Sequence, residues 1–331
     1  MGAFKMNIGD FIPLFSKYTS YIITTHLNPD GDGLGAQLAL REYLVANNKS
    51  VRCINHSPTP RHYTFLDPAN EHIELFDKNN HTPVIEKADC IVIVDTNALN
   101  RLGDMEKPVR NSSAVKIVVD HHLDRTTFAD HYIIDEDAAA TGEIVFNLLS
   151  KALDNKLTDT MATALYTAIM TDTGSFRFPK TNRETHLMTA ELLRYNVNPS
   201  TIYREVYERG PVKRLVLLGK TLSTLQLYHD NRVAVMKIPK SFFGETGTDL
   251  VETDGFVNYA MQVDNVEIGL LFTESEEKIK ISFRARGDVW VNELAKEFNG
   301  NGHQHAAGAT IPGGDLEELI QQVVTAAPKY L

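Results

Sequence analysis

The sequence predicts an α/β protein in two parts: a parallel-sheet N-terminal domain, joined by a helical linker to a smaller α+β domain. Three observations carry this expectation. Uninterrupted β-branched runs, Ala88–Thr96 and Ala114–Asp120, are what strands buried on both faces require. Helical stretches alternate with such runs, the rhythm of a parallel sheet covered on two sides. After His229 the texture turns to β, with RVAVMKIP, VEIGLLFTES and KIKISFRAR in close succession. At 331 residues the chain is long enough for two separate cores.

Taken in order, a helical pattern opens the chain (Ile8, Phe11, Ile12, Phe15). A strand is expected over 21–25 and a helix over 34–47, with Leu38, Leu40, Tyr43 and Leu44 as its apolar positions. Val51–Asn55 reads as a second strand and 72–76 as a short third, before the two long runs ending at Asp95–Thr96 and Asp120. From Ala138 the pattern is helical: AAATGEIVFNLLSKAL, then TDTMATALYTAIMTDTG, where Gly174 is a natural stop. Helices are also expected over 182–195 and 211–228, the latter with Leu215, Leu218, Leu222 and Leu225 as core or interdomain packing. Further on, Glu276 and Glu277 mark a hairpin turn. Helix 289–298, a glycine-rich loop GNGHQHAAG, a short strand and a helix near 316–325 follow. The expected partition is 1–190, a linker 191–225, and 226–331.

Composition excludes several classes. A chain 43% hydrophobic and 23% charged is ordinary for a soluble globular protein, and no apolar run approaches a membrane span. The opening MGAFKMNIGDFIPLF lacks the layout of a signal peptide or a myristoylation site, so a cytoplasmic protein without a membrane partner is expected. Cys53 and Cys90 lie in apolar β-runs and read as reduced, buried thiols; no C-x-x-C pair offers a zinc site. A net charge of −10 argues against long double-stranded DNA as a partner, but not against a small phosphate-bearing substrate.

Chemistry concentrates in YIITTHLNPDGDGLGA (21–36). A strand runs into a loop holding His26, Asn28, Asp30 and Asp32, where ligands sit in open α/β sheets, and Gly31, Gly33 and Gly35 would let the backbone bend. Gly31, Gly33 and Ala36 also fit a dinucleotide fingerprint. Against that, HLNPD separates the strand from the first glycine, Asp32 would face a pyrophosphate, and the next strand ends in Asn55 rather than an acid. Asp95 ends another strand, Asp120, His121 and His122 end a third, and Asp172 ends a helix. Singly, each has a structural explanation: a capped turn, a core hydrogen bond, a solvated helix end. If the strands are parallel neighbours, they meet at one sheet edge. Four clustered carboxylates would then raise one another's pKa values unless divalent cations cancelled the charge. Carboxylates and imidazoles without thiolate suit manganese, with magnesium or cobalt as alternatives.

HLNPDGDGLGA (26–36), VDT (94–96), DHH (120–122) and TDTGSFRF (171–178) resemble, in order, the four motifs of the DHH phosphoesterase superfamily. SFR (282–284) and GNGHQHAAG (300–308) resemble its C-terminal DHHA1 substrate domain, and the likeness spans nearly the whole chain. The subgroup most resembled is the bacterial oligoribonucleases that also hydrolyse 3′-phosphoadenosine 5′-phosphate (pAp). The resemblance implies that His26, Asp30 and Asp95 hold one manganese, and that Asp32, Asp95, His121 and Asp172 hold a second, with Asp95 bridging. It places His122 beside the substrate phosphate, Asp120 behind the histidine pair and Asn28 near the nucleophile. Arg101 would support the site or sit in a surface salt bridge. Arg284 and His303 would grip a terminal phosphate or nucleotide, with Gly300, Gly302 and Gly308 allowing close backbone approach and Asn301 in the same substrate-binding loop. Asn301 stands where the family usually has glycine, and His305 has no assigned role.

The implied activity is hydrolysis of a phosphoester by a hydroxide bridging two cations, on short RNA or pAp, with closure of the second domain selecting short substrates. A pyrophosphatase or exopolyphosphatase shares the metal motifs. A nucleotide-binding regulator without catalysis is opposed by intact residues at every matched position, and a pure nucleic-acid-binding module by the acidic balance. The trio Phe176-Arg177-Phe178 would either stack a base or pack beside the metals. A homodimer is compatible with the resemblance.

Overall fold

The computed structural model describes residues 8–122 and 126–331. Readings made on residues 1–7, and on the side chains of Ile8, Phe11 and His303, lie outside the described residues. The chain divides into two compact units, one up to Arg209 and one from Gly210. Among the described residues no helix is long and apolar enough to cross a membrane.

The first unit alternates strand and helix. Its elements are α1 (Ile8–Ser16), β1 (Ser20–Thr24), α2 (Gly31–Ala46), β2 (Ser50–Asn55), β3 (Ile73–Leu75), α3 (Lys78–Lys87), β4 (Cys90–Val94), α4 (Glu106–Asn111), β5 (Val115–Asp120) and β6 (His131–Ile134). Then come α5 (Thr141–Ala152), α6 (Asp159–Asp172), α7 (Arg183–Leu192) and α8 (Pro199–Tyr207). The strands pair in the order β3-β2-β1-β4-β5-β6, all parallel. The connection order reverses between β1 and β4, the position at which doubly wound sheets leave a crevice beyond the strands' carboxyl ends.

Both sheet faces are covered, which explains the unbroken apolar runs. Val92 and Val94 of β4 join Leu40, Ile144 and Leu165 in one core, while Ile91 and Ile93 join Leu102, Met105 and Val109 in another. Each such side chain contributes about 1.5–3 kcal/mol of burial. Cys53 and Cys90 lie fully buried in the first of these cores. Burial pushes the Cys53 thiol up to about 12 and raises Cys90 further. Neither thiolate forms near neutrality, so Ellman's reagent should find no reactive thiol in the native protein and both after urea unfolding; prompt native labelling would contradict this packing.

The second unit comprises α9 (Val212–Leu222), β7 (Gln226–Tyr228), β8 (Val233–Ile238), α10 (Lys240–Thr246), α11 (Val257–Ala260), β9 (Ile268–Glu274), β10 (Lys278–Ala285), α12 (Val291–Glu297), β11 (Asn301–His303), β12 (Ala306–Pro312) and α13 (Leu316–Ala326). Its sheet runs β11-β12-β10-β9-β8-β7, and only β8 and β9 pair in parallel. A core of Phe272, Ile281, Phe283 and Leu294 covers one face, and Met236, Phe256 and Leu271 the other.

Local readings differ in five places. Helix α2 starts at Gly31 rather than at residue 34, because the Asp30 carboxylate caps it: Oδ1 accepts from the amides of Asp32 (3.0 Å) and Gly33 (3.1 Å). Gly31, Gly33 and Gly35 have no left-handed backbone; they are small because neighbouring elements press on them, not because the chain bends. The helix expected over 211–228 ends at Leu222, and its buried seam is Leu217, Leu218 and Thr221 rather than Leu215, which is 58% exposed. Strand β6 was not expected, its four residues being too few to declare a period, whereas helix α8 falls within the stretch 191–225 expected to be helical. The glycine-rich stretch is an edge hairpin rather than a loop, pairing Asn301 with Gly308, Gly302 with Ala307 and His303 with Ala306. Gly302 has φ +146°, and a Cβ there would sit 2.5 Å from Ala307 Cα. Asn301 takes ordinary strand backbone, so it needs no special tolerance.

Candidate active site

Three segments deliver polar side chains to the carboxyl edge of β1, β4 and β5. The stretch after β1 is tied on both sides: the Leu27 N–H donates to the Arg101 carbonyl (2.6 Å), and the Asn28 N–H to Ser57 Oγ (3.1 Å). Asn28 and Asp95 both adopt left-handed backbone (φ +53° and +60°), which Asn and Asp accept better than most residues. Asp95 follows β4 directly and is held by its own N–H, which donates to the Val119 carbonyl at 2.9 Å. Asp120 is the last residue of β5 and places His121 and His122 just beyond it.

Three groups of donor atoms result, each within 4.8 Å: His26, Asp30 and Asp95; Asp32, His121 and Asp172; Asp95, His121 and His122. His26 Nε2 lies 3.3 Å from Asp95 and 3.7 Å from Asp30. His121 Nε2 lies 3.3 Å from Asp172, 3.7 Å from Asp95 and 3.9 Å from Asp32. Asp95 and Asp32 are buried, while Asp30 is half-exposed.

The imidazole tautomers follow from their partners. His26 Nδ1 lies 2.8 Å from the Leu27 carbonyl and His121 Nδ1 3.2 Å from the Ala138 carbonyl. A carbonyl only accepts, so each Nδ1 carries its proton and each Nε2 is left facing the carboxylates. His122 instead turns Nδ1 to Asp120 Oδ1, at 2.7 Å. The second Asp120 oxygen is buried without a hydrogen-bond partner among the described residues.

Electrostatics without metal is frustrated. Burial, with the charges of Asp95 and Asp172, drives the Asp32 carboxyl well above its usual range. Burial and the charges of Asp95 and Asp30 do the same to Asp172. Asp95 departs from the expectation of mutual raising. Burial alone would raise it too, but the His26 hydrogen bond and the charges of His26, His122 and His121 overcome that and hold it low. Burial opposes the charged form of His26, yet Asp30 and Asp95 lift it to about 10. Divalent cations would displace these protons and cancel the carboxylate charges. The nitrogen-and-oxygen donor set without thiolate fits hard or borderline ions.

Helix α5 supplies a part that pattern-reading missed. The Thr141 and Gly142 amides donate to the two Asp32 oxygens (2.6 and 2.7 Å), and Thr141 Oγ1 donates to Asp95 Oδ1 at 3.0 Å. A signal was present. The sequence AAATGE opens a helix with Ala140 at the N-cap, so the first amides have no side-chain acceptor of their own. Asp32 provides it, and the helix N-terminus favours its negative charge.

The remaining expected residues are dispersed around this centre or in the second unit. Burial opposes the charged form of His122, but Asp120 and Asp95 raise its pKa overall, and Arg101 lies near enough for its charge to oppose them. Arg284 on β10 is partly buried and, beyond a bond from Nη1 to the Phe283 carbonyl (2.9 Å), forms no salt bridge with a carboxylate among the described residues. Burial lowers its pKa, opposed weakly by Asp254. Strand register places Arg284, Ala306 and His303 in one row across β10, β12 and β11, and Ser282, Gly308 and Asn301 in another. Gly300 packs under β12, where a Cβ would sit 2.5 Å from the Gly308 carbonyl oxygen. His305 Nε2 lies 2.9 Å from the Gly287 carbonyl, which gives that imidazole a structural partner. The dinucleotide alternative loses its amides, since Asp30 occupies those of Asp32 and Gly33.

A family model described as the DHH family, N-terminal domain, matches residues 20–169, and one described as the DHHA1 domain matches residues 230–327. The chain is 30% identical to a bifunctional oligoribonuclease and PAP phosphatase NrnA of Thermus thermophilus, over 93% of this chain and 89% of that one. It is 27% identical to the protein of the same description from Bacillus subtilis, over 94% of this chain and 95% of that one. It also resembles a crystal structure of an exopolyphosphatase-related protein from Bacteroides fragilis, with a TM-score of 0.92 and 32% identity over 98% of this chain and 97% of that one.

Proposed function

The chain belongs to the DHH family with a DHHA1 domain, and from that premise we propose that it hydrolyses short oligoribonucleotides and pAp. It is a metal-dependent phosphoesterase, a hydrolase of phosphoester bonds. The observation that carries the proposal is the convergence of three donor groups around Asp95 at the sheet's switch point.

Of the chain's residues, His26, Asp30 and Asp95 would hold one divalent cation, and Asp32, Asp95, His121 and Asp172 a second, manganese by preference and magnesium or cobalt otherwise. Such a pair, when bound, activates water and neutralises charge building on the phosphoryl oxygens. Asp120 fixes the orientation of the His122 ring through Nδ1, and we assign His122 to bond the phosphate or protonate the leaving oxygen. Asn28 and Arg101 would support the approach of the phosphate. In the second unit Arg284 is a cation without a carboxylate partner among the described residues. With Gly300, Asn301, Gly302 and His303 it is our candidate for holding a nucleotide. Residues 1–190 would be the catalytic domain, 191–225 the helical connection and 226–331 the substrate domain, in a cytoplasmic protein.

The second reading, a polyphosphate or pyrophosphate hydrolase, draws on the description of the Bacteroides fragilis protein. One substrate panel separates the two: pAp, pApA and short RNA against pyrophosphate and polyphosphate, each with Mn²⁺, Mg²⁺ and Co²⁺. Preference for the nucleotides is expected; turnover confined to pyrophosphate or polyphosphate would refute the proposal.

Thr141 gives a test within the metal centre. Thr141→Val keeps the amide to Asp32 but removes the hydroxyl on Asp95, and should weaken Mn²⁺ binding to the metal-free protein by about 10–100-fold in calorimetry. Thr141→Ser should restore it. Equal affinity in all three proteins would show that the hydroxyl is idle.

A further inference from the structure

The residues after Asp172 do more than end a helix. Gly174, Ser175 and Phe176 all take left-handed backbone, with φ of +56°, +61° and +66°. Thr173 holds this turn together: its Oγ1 accepts from the Phe176 N–H (3.0 Å), and its carbonyl accepts from the amides of Arg177 and Phe178 (3.0 Å each). The turn sends the two phenylalanines in opposite directions. Phe176 goes inward, its ring 6.1 Å from Tyr166 and 5.6 Å from His186. Phe178 goes outward and lies on Gly174, where a Cβ would meet the ring at 2.5 Å. The residue is 47% exposed.

Around Phe178 the surface is aromatic and cationic. The Arg177 guanidinium stands 5.7 Å from the Phe178 ring centroid and forms no salt bridge among the described residues. Helix α8 adds Tyr203 and Tyr207, with ring centroids 4.9 Å apart and exposures of 43% and 45%. Shelter around the Tyr207 hydroxyl raises its pKa. A hydrogen bond with Ser175 opposes that rise, and the charges of Arg177 and Asp172 also reach it. The Tyr207 hydroxyl is therefore near Ser175 and Arg177, in the turn that follows Asp172.

Three exposed rings, and a guanidinium without a salt bridge among the described residues, in the turn that follows a metal-site carboxylate are a poor core and a poor ion-pair surface. They suit a planar ring followed by a phosphate. We infer that Arg177, Phe178, Tyr203 and Tyr207 form a platform on which a nucleobase of the substrate stacks while its neighbouring phosphodiester lies toward Asp172. Any base has a π-face, so the platform selects esters that carry a base without choosing among bases, and Arg177 adds a cation to the stack. This rests on the phosphoester reading above and names what distinguishes its substrates from pyrophosphate.

The test is steady-state kinetics of the full chain with Mn²⁺ on pApA, and on the same compound carrying 2-aminopurine, whose fluorescence falls on stacking. Phe178→Ala should raise the KM for pApA about tenfold or more and abolish the fluorescence change, and Phe178→Trp should restore both. Arg177→Met should also raise KM, and serves as the second variant should Phe178→Ala fold poorly. An unchanged KM and unchanged quenching in Phe178→Ala and Arg177→Met would overturn the platform while leaving the phosphoesterase reading standing. A wild-type protein that hydrolyses pyrophosphate but not pApA would overturn both.

Discussion

Asp95→Asn is expected to lower phosphoester turnover on the order of 10³-fold while the protein stays folded. Asparagine is chosen because position 95 has φ +60°, which asparagine accepts and alanine does not. The Val119 hydrogen bond comes from the backbone and survives. What disappears is the negative charge. Asp95 belongs to two of the three donor groups, faces His26 at 3.3 Å, and is the carboxylate held ionised by the surrounding imidazoles. Without that charge Asp32 and Asp172 would ionise more readily, but they share a donor group only with His121 and not with His26 and Asp30, so neither takes the place of Asp95. Mn²⁺ calorimetry should show fewer or weaker sites, and circular dichroism an unchanged fold. A variant retaining a tenth of wild-type kcat would remove Asp95 from the centre of the mechanism.

Gly35→Ala is expected to destabilise the first unit by about 2–3 kcal/mol, despite replacing glycine by the best helix former. In an exposed helix the exchange would gain about 1 kcal/mol. Here α2 packs against α6 so closely that a Cβ would collide with the Ala164 carbonyl oxygen and come within 3.0 Å of Ala168 Cβ. A backbone carbonyl cannot swing aside, so the two helices must separate. The consequence reaches the site, because α2 carries Asp32 in its first turn and α6 ends on Asp172. A urea midpoint shifted downward, with weaker Mn²⁺ binding, is the expected result. An unchanged or raised midpoint would mean that the helices are not in contact at this point.

The identity of the ligand-type residues could be read from the chain because each stands at a recognisable punctuation mark. Asp95 and the Asp120-His121-His122 triplet end runs of β-branched residues, and Asp172 ends a long apolar helix before a glycine. Elements lacking a period of their own were invisible. β6 has four residues, and β11 hides its pairing inside a glycine-rich stretch that reads equally well as a loop. Thr141 carries no motif. Its importance comes from a hydrogen bond to Asp95 and an amide to Asp32 109 residues away. The Phe176-Arg177-Phe178 trio was ambiguous for a related reason: three left-handed residues, not residue type, decide which ring faces in.

Local sequence therefore determined which segments are strands buried on both faces, which helices cover them, and which acids and imidazoles stand at their ends. Periodicity records how a residue is buried against its immediate surroundings. The tertiary structure alone decided that β1 lies beside β4, which brings His26, Asp30, Asp32 and Asp95 to one reversal point of the sheet. It also decided that α5 lends its uncapped amides to Asp32. Strand order and helix docking depend on which distant apolar faces exclude water from one another, and no window of neighbouring residues contains that information.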